Sequence, residues 1–439
     1  MSFQACRQKM ERAGLNSWQI ERFERDWLSL QAGEKGLLAE SDLGPVGKIQ
    51  RLCDLTPARW DRLAQTVVIK LNGGLGTSMG LEGPKGLLEV RQGLSFLDLT
   101  RQQVEHLRGE TDCLLPLLLM NSFYTQSATL AQLGSFSNGK VPLDFLQSKV
   151  PKLRADDHQP VEFIEHPELE WCPPGHGEIY SALKGSGLLQ TLLDSGFAYA
   201  FVSNIDNLGA TLDAALLQWF AQSGLDFAME VTRRTQQDKK GGHLARLQDG
   251  RLVLRERAQC ARHDLAAFED NERHSFFNTN NLWLNLHSLQ SQPLPQLPVI
   301  VNRKTVDPTN PLSCPVLQLE SAMGAAISAF PKAAAIEVSR HRFVPVKTLA
   351  DLLLLRSDLY RLNAKSELEA MSPERMPQIS LDPRYYSTYD DFARRFQAIP
   401  RLLQCHSLTV KGDVHFLESL DLVGDVELCN PEPLPLQLP

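Results

Sequence analysis

Ile20, Phe23, Trp27 and Leu30 recur three and four positions apart with charged residues between them, and Ser17 stands where a helix cap belongs. That spacing predicts a helical segment over residues 1–60. From Val67 to about Leu355 the pattern changes to short apolar runs: "VVIKL", "CLLPLLLM", "PVEFIEH", "FAYAFVSN", "DFAMEV" and "NLWLNL". Amphipathic stretches such as "LDAALLQWFAQSG", stopped by Gly224, separate some of them. Strands alternating with helices predict an α/β fold built on a doubly wound, mixed but mostly parallel sheet. Such sheets bind their ligands beyond the carboxyl ends of the strands.

The last residues follow another rule. "SLTVKGDVHFLE" (407–418) laid over "SLDLVGDVELCN" (419–430) aligns Leu408 with Leu420, Val410 with Leu422 and one Gly-Asp-Val with the next. Apolar residues fall at every second position. A twelve-residue period of this kind predicts short stacked strands of a β-solenoid, with a simple hairpin as the alternative. The exposed edge of such a tail is a pairing surface for a homo-oligomer. The chain thus divides into residues 1–60, a central domain over 61–360 and a C-terminal domain over 361–439.

Composition narrows the class. The chain has 439 residues, too many for one compact core. A net charge of −7 argues against a nucleic-acid-binding face over much of the molecule. Eight scattered cysteines without a CxxC pair read as reduced thiols rather than a disulfide framework or a zinc site. The N-terminus lacks the apolar core of a signal peptide, and no apolar run is long enough to span a bilayer. A cytoplasmic protein with no membrane and no nucleic-acid partner is expected.

The candidate chemistry centres on "VVIKLNGGLGTSMG" (67–80), a strand-like run leading into Gly73, Gly74, Gly76 and Gly80. It is neither a P-loop nor a full dinucleotide-binding fingerprint, since Met79 occupies the third glycine's place. Consecutive glycines bring backbone N–H groups within reach of an anion, and Lys85 adds a mobile positive charge. A flexible loop with a surface lysine is the alternative. Placement after a buried strand favours phosphate binding.

"LNGGLGTSMG" followed by "GPKG" resembles the nucleotide-binding loop of the eukaryotic-type UTP–glucose-1-phosphate uridylyltransferase family. "LQSK" (146–149), "WCPPGHGEIYSAL" (171–183), "FVSNIDNLGA" (201–210), "KGG" (240–242), "FFNTNNLWLNL" (276–286), "VLQLESAMGAAI" (316–327) and "RFVPVKTLADLLLLRSDLY" (342–360) follow in that family's order. The resemblance implies a Rossmann-like nucleotidyltransferase fold with a C-terminal left-handed β-helix. It also implies a magnesium-dependent reaction in which UTP and glucose 1-phosphate give UDP-glucose and pyrophosphate.

The same resemblance assigns roles. Leu71, Asn72, Gly73 and Gly74 match the backbone around the nucleotide, and Lys85 the lysine beside the leaving phosphates. Gly86 departs from the family, which usually carries a small hydroxyl or thiol residue there. Gln147 matches the glutamine that reads uracil, whose edge needs donor and acceptor together. Gly175 and His176 match residues near the base and the sugar phosphate. Asp206 matches the magnesium ligand, and one carboxylate with phosphate oxygens and waters is ordinary for that ion. Asn204 matches a contact to nucleotide and sugar, and period two puts it on one face with Asp206 if the strand continues. Asn280, within "NTNNLW", suits sugar hydroxyls or caps a turn. Glu320 matches an acidic position near the sugar, with a helix-start glutamate as the alternative. Lys347, in "FVPVK", matches the lysine that bridges sugar phosphate and α-phosphate, and Lys304 is a less certain neighbour.

Three alternatives accompany this expectation: a uridylyltransferase for galactose or N-acetylglucosamine phosphates, a non-catalytic nucleotide-sugar-binding protein, and, more distantly, a dinucleotide oxidoreductase. Retention of Lys85, Asp206 and Lys347 weighs against loss of catalysis.

Overall fold

The computed structural model describes residues 2–33, 36–81, 83–235, 238–372 and 375–438. Two helices open the chain, α1 (Gln4–Arg12) and α2 (Ser17–Gln31). Asn16, not Ser17, caps α2, closing a capping box with Gln19. The expected helical segment stops there: residues 36–60 contain no α-helix and cross the body as an irregular strap with two-residue strands. Phe3, Phe23 and Trp27 bury the inner faces of α1 and α2 against Val150, Leu153, Leu317 and Leu319.

The large sheet takes its strands from across the chain: β1 (Gln50–Arg51), β2 (Thr66–Asn72), β3 (Leu117–Asn121), β4 (Asp144–Leu146), β5 (Tyr199–Asn204), β6 (Phe227–Arg233), β7 (His243–Leu247), β8 (Leu252–Arg255), β9 (Phe276–Asn285) and β11 (Ala333–Glu337). Strand β10 (Pro315–Glu320) belongs to a separate three-stranded sheet with Ile300–Thr305 and Leu153–Arg154. The order along the large sheet is β1-β11-β6-β9-β5-β2-β3-β4, parallel throughout except that β9 runs antiparallel to both β5 and β6. β7 and β8 extend it as an antiparallel hairpin at the side of β9. The sheet is therefore mixed.

Every residue of β2 is buried, because helices and loops cover both of its faces. Val67, Ile69 and Leu71 pack into one core with Ile179, Leu183 and Leu192, while Val68 packs into a second with α3 (Phe96–Thr111) and α6 (Leu349–Arg356) on the opposite face. Helices α4 (Ile179–Gly185) and α5 (Ala214–Gln222) complete the layers that bear on the site. One expected strand is missing: "PVEFIEH" runs as irregular chain after an isolated bridge from Pro160 to Leu153.

The tail forms two small parallel sheets. β12 (Gln378–Leu381), β13 (Cys405–Lys411) and β15 (Gly424–Cys429) make one, and β14 (Val414–Phe416) and β16 (Leu436–Leu438) the other. The twelve-residue register is not the stacking register. Leu408 faces Val426, eighteen positions on, and Val414 faces Leu436, twenty-two positions on. The internal similarity misleads because its two copies lie along the winding chain rather than above one another. Leu408, Val410, Val414 and Phe416 are buried in the same core as Leu352 and Leu355 of α6, so tail and body share one apolar interior.

Candidate active site

The site assembles where β2 and β5 end. Asn204, the last residue of β5, lies opposite Leu71 of β2, and the Ile205 N–H donates to the Leu71 carbonyl at 3.1 Å. The strand stops at Asn204, so Asp206 sits in the following turn and does not share a strand face with Asn204. Both nevertheless remain at the carboxyl edge of the sheet, where a doubly wound fold places its ligands.

Asp206 is 9% exposed, and its Oδ2 accepts from Lys85 Nζ at 2.6 Å. The glycine loop makes this pairing: the Lys85 N–H donates to the Gly74 carbonyl at 3.1 Å, and Leu75 bridges Pro84, folding the loop back onto its own start. Gly74 has nothing within 4 Å of where a Cβ would stand, leaving its backbone open to a ligand. Gly73 is glycine for another reason: a Cβ there would overlap the side-chain nitrogen of Gln147. The Gly73 carbonyl accepts from Ser122 Oγ at 2.8 Å. Strand end, glycine loop and Gln147 are thus held in one place.

Asn72 turns its side chain away from the loop. Its Nδ2 donates to Asn121 Oδ1 at 2.8 Å and Thr129 Oγ1 at 2.9 Å, inside the protein, so only its backbone faces the loop. Its Oδ1 is buried without a partner, and a Cβ on Gly86 would overlap it. Gly86 therefore fits the side chain of Asn72, which gives the departure from the family pattern a steric reason.

Gly175 has a φ of +84°, and a Cβ on it would stand 2.6 Å from the Ser321 carbonyl oxygen. The glycines around His176 serve close packing of two segments of this chain. Ser321 N–H donates to the Pro174 carbonyl and Gly177 N–H to the Ser321 carbonyl, at 2.9 and 2.8 Å. His176 Nδ1 accepts from the Met323 N–H at 3.1 Å, which assigns the ring proton to Nε2. Burial lowers its pKa to about 4, so at neutral pH it is a neutral donor. Glu320 ends β10 beside this loop; it is a strand-end glutamate, not a helix-start one.

Asn280 has a φ of +58° at a bulge where the β6–β9 register shifts. Its Oδ1 accepts from Asn278 Nδ2 at 2.8 Å. Asn281, by contrast, is spent internally, donating to Glu230 Oε2 at 3.0 Å and the Arg342 carbonyl at 3.1 Å. Lys304 is exposed at the far end of its strand from Ile300, the residue that pairs with Glu320, which separates it from the site.

Lys347 is exposed, with Nζ 6.0 Å from the Phe343 ring centre, and it does not join the Lys85–Asp206 pair. What places it is a residue that sequence reading missed. Asn207 is buried; its Oδ1 accepts from the Val344 N–H at 2.9 Å and its Nδ2 donates to the Arg342 carbonyl at 3.0 Å. The residue next to Asp206 thereby ties down the segment carrying Lys347. Arg342 is itself held through Nε and Nη2 by the buried Glu230, at 2.7 and 2.8 Å. Glu178 was also missed: it accepts from the N–H and hydroxyl of Ser148, beside Gln147. Both residues stood in quoted motifs, but their partners are distant in sequence.

Among the described residues no group of three or more His, Cys, Asp or Glu side chains could hold a metal by itself. No helix among them is long and apolar enough to cross a membrane. All eight cysteines are unpaired.

The glycine loop on a central parallel strand and the lysine–carboxylate pair across the sheet edge define a nucleotidyltransferase. Residues 38–422 match the family model described as UTP–glucose-1-phosphate uridylyltransferase. The Hordeum vulgare enzyme of that name is 41% identical over 387 residues, covering 86% of this chain and 80% of that one. The Solanum tuberosum enzyme is 38% identical over 423 residues, covering 94% and 86%. The crystal structure titled UDP-glucose phosphorylase from Trypanosoma brucei superposes with a TM-score of 0.92 at 42% identity, covering 99% of this chain and 96% of that one. A Leishmania major UDP-glucose pyrophosphorylase variant, solved with UDP-glucose, gives a TM-score of 0.92 at 42% identity and the same coverage. The chain belongs to the UTP–glucose-1-phosphate uridylyltransferase family.

Proposed function

We propose that this chain transfers the uridylyl group of UTP to glucose 1-phosphate, reversibly, giving UDP-glucose and pyrophosphate. The observation that carries the reading is the Lys85–Asp206 pair, set against the glycine loop that also holds Gln147. A phosphate oxygen of glucose 1-phosphate attacks the α-phosphorus of UTP as the bond to the β-phosphate oxygen breaks. Such a displacement needs two anions aligned and their charge neutralised more than it needs covalent help.

The residues divide accordingly. The Gln147 amide reads the uracil edge, and the backbone of Leu71, Asn72, Gly73 and Gly74 lines the nucleotide. Lys85 neutralises the departing phosphates. Gly175 lets the His176 loop pack on the Ser321 segment beside the base, and neutral His176 donates from Nε2 to the sugar phosphate. Asn204, Asn280 and Glu320 offer polar groups to ribose and glucose. Lys347 spans the sugar phosphate and the α-phosphate.

Magnesium fits this donor set. Asp206 Oδ2 is taken by Lys85, Oδ1 takes no hydrogen bond among the described residues, and one carboxylate with phosphate oxygens and waters is a normal magnesium environment. When bound, the ion would supply further neutralisation of the triphosphate.

The parallel tail is the start of a β-solenoid, and the edge of β15 is a surface on which a second copy could pair. Domain limits near residues 60 and 360 and a cytoplasmic location belong to the same reading.

Product analysis with UTP, magnesium and a panel of glucose, galactose and N-acetylglucosamine 1-phosphates tests it. UDP-glucose as the main product is expected. No product with any of them, or a main product from another sugar, overturns it.

A further inference from the structure

Glu178 is 0% exposed, a carboxylate that the reaction does not call for. Burying a charge is costly unless good hydrogen bonds repay it. Glu178 spends both oxygens on one residue. Oε2 accepts from the Ser148 N–H at 2.6 Å, and Oε1 accepts from the Ser148 hydroxyl. Ser148 follows Gln147, whose own N–H donates to the Asn121 carbonyl at 2.9 Å. The backbone on both sides of Gln147 is thereby fixed.

Glu178 also stands at the start of α4, two residues after His176. Its N–H donates to the Gly175 carbonyl at 3.3 Å, and its carbonyl accepts from Ser181 Oγ at 3.0 Å. Arg22 of α2 reaches the same place: Nη1 donates to Ser181 Oγ at 3.4 Å and Nη2 to Ser321 Oγ at 2.8 Å. Ser321 is the residue packed against Gly175 and Gly177. The Glu178 carboxylate thus joins the His176 loop to the Gln147 loop, and the N-terminal helix reaches the same place through Ser181 and Ser321.

We propose that Glu178 is a positioning residue that clamps the Gln147 loop to the His176 loop, fixing base recognition relative to sugar-phosphate recognition, with Arg22 bracing the clamp from the N-terminal helix. The proposal rests on the base-reading role given to Gln147 above. A carboxylate suits the task because it is acceptor-only and offers two oxygens to the two donors of Ser148. Glutamine has the same reach and can accept from the Ser148 N–H while donating to its hydroxyl. Aspartate keeps the charge but is one methylene short. The clamp depends on reach, whereas a mere counter-charge for Arg22 would depend on charge.

The experiment compares kcat/KM for UTP and CTP at saturating glucose 1-phosphate in the full chain and its Gln147→Ala, Glu178→Gln and Glu178→Asp variants, with thermal unfolding of each. Gln147→Ala should abolish most of the preference for UTP. Glu178→Asp should lower the UTP/CTP ratio by on the order of tenfold, the effect of losing about one oriented hydrogen bond. Glu178→Gln should retain most of the preference. If Glu178→Asp keeps the full ratio while Gln147→Ala loses it, the clamp is refuted and the base-reading role stands. If Glu178→Gln loses the ratio while Glu178→Asp keeps it, charge and not reach is what matters, and the clamp is again refuted. If Gln147→Ala itself keeps the ratio, the base-reading role fails and the clamp fails with it.

Discussion

Lys85 Nζ lies 2.6 Å from Asp206 Oδ2, joining the end of the glycine loop to the turn after β5. Both side chains are largely buried at the sheet edge, with relative exposures of 16% and 13%. A cation and a carboxylate thus share one point, the pair to which the proposed function gives the departing phosphates and magnesium. Lys85→Ala should lower kcat by on the order of 10²-fold, the range for removing one preorganised charge-stabilising group. Steady-state turnover checks this, and wild-type kcat would contradict it.

Lys347 stands on a segment held by Asn207 and Arg342 but carries no ion pair among the described residues. In the proposed reaction charge shifts onto the α-phosphate oxygens as it is attacked, so an ammonium that Lys347 brings there would stabilise the transition state more than either bound substrate. Lys347→Ala should lower kcat by about 10²–10³, or about 3–4 kcal/mol. Lys347→Arg should recover little, because a planar fork does not replace a compact point charge. UTP affinity should move less than turnover. A near-normal kcat with only weaker glucose 1-phosphate binding would make Lys347 a simple anchor.

Gly73→Ala places a methyl group against the Gln147 amide and should raise the KM for UTP roughly tenfold, the value of one lost hydrogen bond, with a smaller change in kcat. Gly175→Ala forces a side chain onto a residue at φ +84° and against the Ser321 backbone, and should cost about 1–3 kcal/mol in unfolding free energy. Substrate titration and thermal unfolding separate the two effects.

Burial lowers the pKa of three histidines, His176 to about 4, His243 to about 2, and His274 in the same direction against the pull of Glu40. In the unfolded chain they take protons near their ordinary value of 6.5. Below that pH the unfolded state binds more protons, so their contribution to stability is full above pH 6.5 and is lost as pH falls towards the folded values. Each group adds up to about 1.4 kcal/mol per pH unit in that window. Unfolding free energy measured from pH 7 to pH 4.5 should fall, and His243→Leu should flatten the slope. An unchanged slope in that variant would contradict the assignment.

Most of the site's residue identities were legible in the sequence, and the resemblance supplied the roles proposed for them. The glycine loop, Gln147, the His176 loop and Asp206 carry short motifs. Strands such as Thr66–Asn72 were legible because burial on both faces leaves an apolar run, Val67 to Leu71, interrupted only by Lys70, whose ammonium is satisfied inside by Ser203 and the Ala210 carbonyl. What escaped was long-range pairing. Asn207 to Val344, and Glu178 to Ser148, are contacts between distant parts of the chain, and local patterns do not encode them. The tail failed for a related reason. Its similarity at twelve residues is real, yet β13 stacks on β15 at eighteen, because the turn between strands consumes residues that alternation alone does not count.

That stacking changes what the tail is expected to do. Leu408, Val410, Val414 and Phe416 are buried with the catalytic body, each worth about 2 kcal/mol of burial. Truncation before Ser407 should therefore destabilise the whole protein and lower its Tm, not merely alter solubility or assembly. An unchanged Tm would show that the shared core is dispensable.

The proposed reaction is direct uridylyl transfer assembled around Asp206. Its most direct test is pyrophosphate release from UTP and glucose 1-phosphate, followed as magnesium is titrated, in the wild type and in Asp206→Asn. Release should depend on glucose 1-phosphate and magnesium in the wild type, and kcat should fall by at least about 10²-fold in a variant that keeps its fold. Wild-type release by Asp206→Asn at limiting magnesium would contradict it.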